Sequence, residues 1–213
     1  MIFPLLSISR RTKRRDTALQ PFLGMKLPIF WIIGPSASSK STIAEMLAKS
    51  SQFHLISLQS LKKDEMQKRK WNVNNSTRSN ENQDLFIHLL KEEFIRTYQN
   101  STGYIIDGFP MNIREANLFE KHICKVNVII YLTLTLDALL CRRVTQLHYF
   151  DVEEERIKYV DSLRNINKIV QKFQRKTIKI ASKYPPEDTC TKLVVTLEDD
   201  WGYKFMRLYN KSS

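Results

Sequence analysis

Strand-like and helix-like patterns alternate along this chain, and the alternation predicts an α/β fold, a parallel sheet with helices on both faces. Two further observations put a site on that sheet. The stretch Gly34-Pro35-Ser36-Ala37-Ser38-Ser39-Lys40-Ser41-Thr42 lies between an apolar run ending at Ile33 and a helical pattern, and Asp107 closes a second apolar run, Tyr104-Ile105-Ile106. The first is a phosphate-binding loop with one defect: the pattern is Gly, four residues, then Gly-Lys-Ser/Thr, and Ser39 stands at the second Gly. Strand, loop and helix N-terminus together make an anion cradle of inward N–H groups and helix dipole. In it Lys40 would reach the outer phosphates, and Ser41 or Thr42 would hold magnesium.

Taken in order, residues 29–33 read as a buried strand, and 40–49 as a helix with Ile43, Met46 and Leu47 on one face. Residues 53–57 read as a second strand, and Leu85, Phe86, Leu89, Leu90, Phe94 and Ile95 recur at helical spacing after it. A short strand over 104–106, a helix over 112–122, a strand over 126–132 and a helix over 136–146 follow. Residues 151–179 read as one long amphipathic helix, 193–197 as a strand and 201–209 as a closing helix. Two polar stretches interrupt the order: 71–83, an Asn-rich mobile connection, and 147–152, too short for a large lid.

With 213 residues and 42% apolar content, the chain suits one domain with a sizeable core. Of the net charge of +12, the segment before the first strand carries +5 (Arg10, Arg11, Lys13, Arg14, Arg15 and Lys26 against Asp16), leaving +7 for the rest. That surplus suits a protein handling polyphosphates; no stacked-aromatic or recognition-helix pattern points to nucleic acid. Cys124, Cys141 and Cys190 are far apart, without a C-x-x-C pair or a His at ligand spacing, which speaks against zinc and against a disulfide framework and for a reducing compartment. No apolar stretch approaches a membrane span. A soluble, cytoplasmic protein is expected. The acid-poor start offers an alternative, a mitochondrial presequence over 1–24, set against a disordered basic tail over 1–27 or a start at Met25. His54, His88 and His122 read as packing or surface residues, and Trp31, Trp71, Trp201 and Tyr203 as core or edge.

The acid of Asp107-Gly108-Phe109-Pro110 falls at the carboxyl end of a strand, where parallel sheets place their ligands; it would face the phosphate loop and position magnesium or its water. With these two motifs in this order and approximate spacing, the sequence resembles the nucleoside monophosphate kinases, adenylate kinase and uridylate-cytidylate kinase, in a divergent short-lid form, over residues 28–210. The start and end of the loop also look like guanylate kinase, to which Asp-Gly-Phe-Pro does not belong. The resemblance implies a P-loop nucleoside triphosphate hydrolase-type, three-layer α/β fold with a parallel five-stranded sheet. It further implies a monophosphate-binding flap over 58–84 and a short lid over 147–152. The implied reaction is transfer of the γ-phosphoryl group of ATP, with Mg2+, to a nucleoside monophosphate (AMP, or CMP/UMP), by an enzyme that is usually a monomer.

Carried over by residue, the loop from Gly34 to Thr42 holds the donor phosphates, with Lys40 and Asp107 catalytic and Ser41, Thr42 and Asp107 at the metal. Lys63 would hold the acceptor phosphate as a point charge, with Gly108, Phe109, Asn112 and Glu115 toward the acceptor. Met111 replaces the family's phosphate-clamping Arg, and Glu115 stands where adenylate kinases read adenine with Gln, a tilt toward a pyrimidine. Arg142, or Arg143 beside it, matches the lid-helix arginine. Two further lid arginines align with about His148 and Tyr159; Arg156, one turn before Tyr159, would replace them in part, or else is a solvated charge in the run 153–158. Ala37 and Ser39 occupy Gly positions, at a cost of roughly 1–3 kcal/mol for each if its backbone is strained. The second expectation is therefore a catalytically weak or inactive nucleotide-binding scaffold with the kinase fold.

Overall fold

A computed structural model describes residues 17–69, 79–146 and 149–205. A short helix α1 (Gln20–Met25) precedes β1 (Ile29–Ile33), α2 (Lys40–Ser51) and β2 (His54–Ser57). Next come α3 (Leu58–Arg69), α4 (Ser79–Thr97), β3 (Tyr104–Asp107), α5 (Ile113–His122) and β4 (Val128–Thr133). The chain then continues through α6 (Leu136–Gln146), α7 (Val152–Lys172), β5 (Thr177–Ala181) and α8 (Pro186–Asp199).

The five strands form one sheet in the order β2-β3-β1-β4-β5, and every pairing is parallel. β1 is central and wholly buried, so it reads as an unbroken apolar run. Successive side chains point to opposite faces. Ile29, Trp31 and Ile33 enter a core that Phe94, Phe119 and Ile169 close from α4, α5 and α7; Phe30 and Ile32 enter another with Leu47 of α2 and Leu193 of α8. Because β1 has β3 on one side and β4 on the other, the chain reverses its direction of travel there, and the crevice at the carboxyl ends of β1 and β3 is the place for a ligand.

Three expectations change. The predicted strand over 193–197 is part of α8. Its Leu-Val-Val-Thr-Leu run suits a strand by composition, but Thr189, Leu193 and Leu197 are buried at helical spacing while Val195 is half exposed, and Pro186 starts the helix. The fifth strand comes earlier, from the expected tail of the long helix: α7 stops at Lys172, and residues 177–181 bury Ile178 and Ile180 while exposing Lys179 and Ala181, the period of two of a sheet edge. Of the tail expected to be disordered over 1–27, the described residues 17–27 are folded: Leu19 and Phe22 are buried and Phe22 stacks on Phe94 at 4.6 Å between centroids. Residues 1–16 lie outside the described residues, as do 70–78 of the Asn-rich stretch, 147–148 of the short connection and 206–213; residues 79–83 are helical, and of the helix expected over 201–209 the described residues 201–205 are turn and coil. Among the described residues no helix is long and apolar enough to cross a membrane.

Candidate functional site

The loop between β1 and α2 starts at a residue that must be glycine, since a Cβ on Gly34 would lie 2.6 Å from the backbone oxygen of Leu132. Ala37 and Ser39 both take left-handed backbone, with φ of 58° and 59°. These are the positions where glycine is missing from the pattern, so the loop keeps a glycine-type path with side chains on it, at roughly 1–2 kcal/mol per residue. Ser38 is fully buried, and its hydroxyl donates to Pro35 O at 2.8 Å. Lys40 Nζ donates to the same oxygen at 2.7 Å. Burial pushes the Lys40 ammonium below its ordinary range, Asp107 opposes that push and the nearby Arg143 adds to it.

Register carries Asp107 to this loop: β3 pairs with β1 so that Asp107 lies opposite Ile32. Asp107 is buried, Oδ2 accepts from Ser41 Oγ at 2.6 Å, and Oδ1 has no hydrogen-bond partner. A buried carboxylate oxygen without a donor calls for an ion or water. A hydroxyl beside a carboxylate is the hard oxygen set that magnesium takes from a protein when phosphates and water complete its shell. Of the two expected hydroxyls Ser41 is thus the one that bonds Asp107. Among the described residues no three His, Cys, Asp or Glu side chains cluster as a metal site of their own.

The two adjacent arginines of α6 divide their work. Arg142 turns to backbone, donating to Ala37 O at 2.6 Å and to Ser182 O. Arg143 donates to Ser36 Oγ and through Nε to Glu155 Oε2 at 3.0 Å, tying loop, α6 and α7 together close to Lys40. Arg156 is not brought to the loop; its side chain is half exposed and pairs with Glu153 at 3.5 Å, the solvated-charge alternative. Tyr159 donates its hydroxyl to Leu134 O.

On the acceptor side, several expected contacts belong to the scaffold. Phe109 is fully buried, edge-on to Trp31 at 5.6 Å, and so packs in the core. Gly108 has φ of 76° and leads into a cis Phe109–Pro110 bond. Asn112 caps α5 by accepting from Glu115 N at 3.0 Å, and Glu115 reaches back to Met111 N at 2.7 Å and Asn112 Nδ2 at 3.1 Å, a reciprocal capping box. Buried and bonded in this way, Glu115 serves the helix end. Lys63 is exposed on α3.

Beside Ser41 and Asp107 opens a cavity of about 470 Å³, flanked by β2, α3 and α4 and lined by Ser57, Ser60, Asp64 and Glu93 among others. At its far end Glu93 accepts from Arg96 Nη2 at 2.6 Å and pairs with His54 Nε2 at 2.9 Å. Burial raises the Glu93 pKa, but these two partners outweigh it and leave the carboxyl below its ordinary range. Glu155 and Ser182 escaped the sequence reading, and Arg143 entered it only as the alternative to Arg142. Ser182 follows β5 directly, so the alternation over 177–181 was the signal that marks it.

The AAA domain family matches residues 33–158. Adenylate kinase isoenzyme 5 of Mus musculus is 23% identical over 170 residues, covering 75% of this chain and 28% of its own length. An adenylate kinase of Buchnera aphidicola is 30% identical over 118 residues, 54% of each chain, and adenylate kinase 1 of Drosophila melanogaster is 21% identical over 184 residues, 81% of this chain and 80% of its own. The chain thus spans 28% and 54% of the first two of these relatives. A shikimate kinase structure from Aquifex aeolicus superposes with a TM-score of 0.54 at 14% identity, over 83% of this chain and 99% of the other, a likeness of fold. The strand order that brings Asp107 to the loop, and these likenesses on both sides of it, lead to one conclusion: the chain belongs to the AAA domain family, as a divergent relative of the nucleoside monophosphate kinases.

Proposed function

We propose that the chain is an ATP-dependent phosphotransferase of the nucleoside monophosphate kinase type, acting on AMP, CMP or UMP. The observation that carries this reading is the meeting of Lys40, Ser41 and Asp107 at the carboxyl ends of β1 and β3, with Asp107 Oδ1 unpaired. Magnesium bound with ATP supplies charge neutralisation on the phosphates, and Ser41 and Asp107 are the residues that would hold it. The loop's N–H groups and the start of α2 bind donor phosphate. Lys40, once released from Pro35 O, adds a charge that follows the phosphoryl group, and Arg143 supplies the nearby guanidinium. Positioning and electrostatics of this kind carry most of phosphoryl transfer. With Glu115 occupied at the α5 cap, the tilt toward pyrimidine acceptors loses its motive, so purine and pyrimidine acceptors stand alike.

A catalytically weak nucleotide-binding scaffold is the second reading. It is favoured by left-handed Ala37 and Ser39 and by the engagement of Arg142, Arg143 and Arg156 with protein groups. A phosphotransfer assay with magnesium-ATP against AMP, CMP, UMP, GMP and their deoxy forms separates the two. Turnover on at least one acceptor, reduced by Lys40→Ala by roughly 10²–10³-fold, is expected. ATP binding without turnover on any of them by folded protein establishes the scaffold instead.

A further inference from the structure

The left-handed backbone at Ala37 and Ser39 has no glycine to make it easy, and a strained conformation persists only where its surroundings over-determine it. Here the surroundings are specific. A loop whose N–H groups converge on an anion turns carbonyls outward, and Ala37 O and Ser38 O are both captured from outside the loop. Arg142 Nη1 donates to Ala37 O at 2.6 Å and reaches Ser39 Oγ at 3.4 Å; Ser182 Oγ donates to Ser38 O at 2.7 Å. The two donors also brace each other, since Arg142 Nη2 donates to Ser182 O. Ser182 is buried, and its own N–H bonds Thr133 O at 2.8 Å, continuing the β4–β5 ladder. The anchor is therefore the sheet itself, reached across 105 residues from Ala37 to Arg142 and 144 from Ser38 to Ser182.

We infer that Arg142 and Ser182 form a clamp that imposes the cradle conformation on a loop lacking its glycines. Arg142 is then a positioning residue, acting through the backbone of Ala37 and Ser38 and not by touching the transferred group. Charge-assisted bonds from a guanidinium are the strong class, which suits a donor that must hold Ala at positive φ. The inference rests on the proposed reading only in taking the cradle to be a nucleotide site; the clamp itself is a statement about the loop.

The test crosses Arg142→Gln and Ser182→Ala with the paired change Ala37→Gly and Ser39→Gly in the full chain. The readouts are the thermal midpoint without nucleotide and the affinity for a fluorescent ATP analogue with magnesium. In the wild-type loop each clamp variant is expected to lower the midpoint by several degrees and weaken the analogue about tenfold. In the glycine loop the same variants should cost less than about twofold in affinity, with a correspondingly smaller fall in midpoint. Equal affinity losses in both backgrounds overturn the inference and make Arg142 a direct nucleotide contact. Should the wild-type chain not bind the analogue, the nucleotide reading fails and the midpoints alone judge the clamp: coupling between clamp and glycine changes supports it, and additivity overturns it. If Arg142→Gln does not fold, Ser182→Ala, which removes one hydroxyl, carries the same comparison.

Discussion

The phosphate loop and the Asp107–Pro110 turn on the opposite side of the crevice hold their shape by different means. Around the loop, side chains changed while the backbone path stayed: Ala37 and Ser39 occupy left-handed positions, and Arg142 with Ser182 holds the carbonyls. At the Asp107–Pro110 turn the side chains have other partners or face solvent. Among the described residues, Met111 is half exposed, Lys63 is on the surface, and Glu115 caps α5. A cradle built from main-chain N–H groups tolerates sequence drift as long as its shape is kept, whereas a side-chain clamp is lost with the side chain.

The strongest way to break this contrast is Gly34→Ala. Its Cβ meets Leu132 O at 2.6 Å and Ser38 Oγ at 2.9 Å, so loop and β4 must part. A stability loss of about 1–3 kcal/mol and loss of ATP-analogue binding are expected, read by denaturant unfolding and fluorescence titration. Met111→Arg sharpens the acceptor half by returning a guanidinium to the turn. A gain of roughly tenfold in kcat/KM for the best nucleoside monophosphate, about 1.4 kcal/mol, is expected in steady-state kinetics, with KM for ATP unmoved. Glu115→Ala removes the reciprocal cap and should cost about 1 kcal/mol of stability while leaving the ranking of acceptor bases unchanged; a reranked panel would return Glu115 to the substrate. Arg156→Ala should be the quietest, within about 0.5 kcal/mol in stability and with turnover unaltered, because its partner is the exposed Glu153.

Legibility followed the same division. Apolar β1, Lys-Ser-Thr and Asp-Gly-Phe-Pro are local signals, and each predicted a neighbourhood that the sheet assembles. Reading the helix on through 179 and 193–197 as strand exchanged two elements, because apolar or β-branched residues in a row, as at 193–197, fit either a strand or a buried helix face. Packing of Leu193 and Leu197 into the core around α2 decides between them. The clamp was hidden behind that exchange: Ser182 becomes visible only once β5 is placed. Arg142 and Arg143 are indistinguishable by motif, and it is the turn of α6 that sends one to a carbonyl and the other to Ser36 and Glu155. The capping role of Glu115 was hidden for a related reason, since a capping Glu three residues after Asn112 and a base-reading acid look alike in one dimension.

Phe22 stacks on Phe94 and stands edge-on to Tyr104 at 5.8 Å, with Leu19 buried beside them. Residues 19–22 therefore belong to the folding unit. A polypeptide begun at Met25 lacks both side chains and exposes the aromatic face that braces α4 against β3, so the shorter product would be the less stable one and the first to be cleared by cellular proteases.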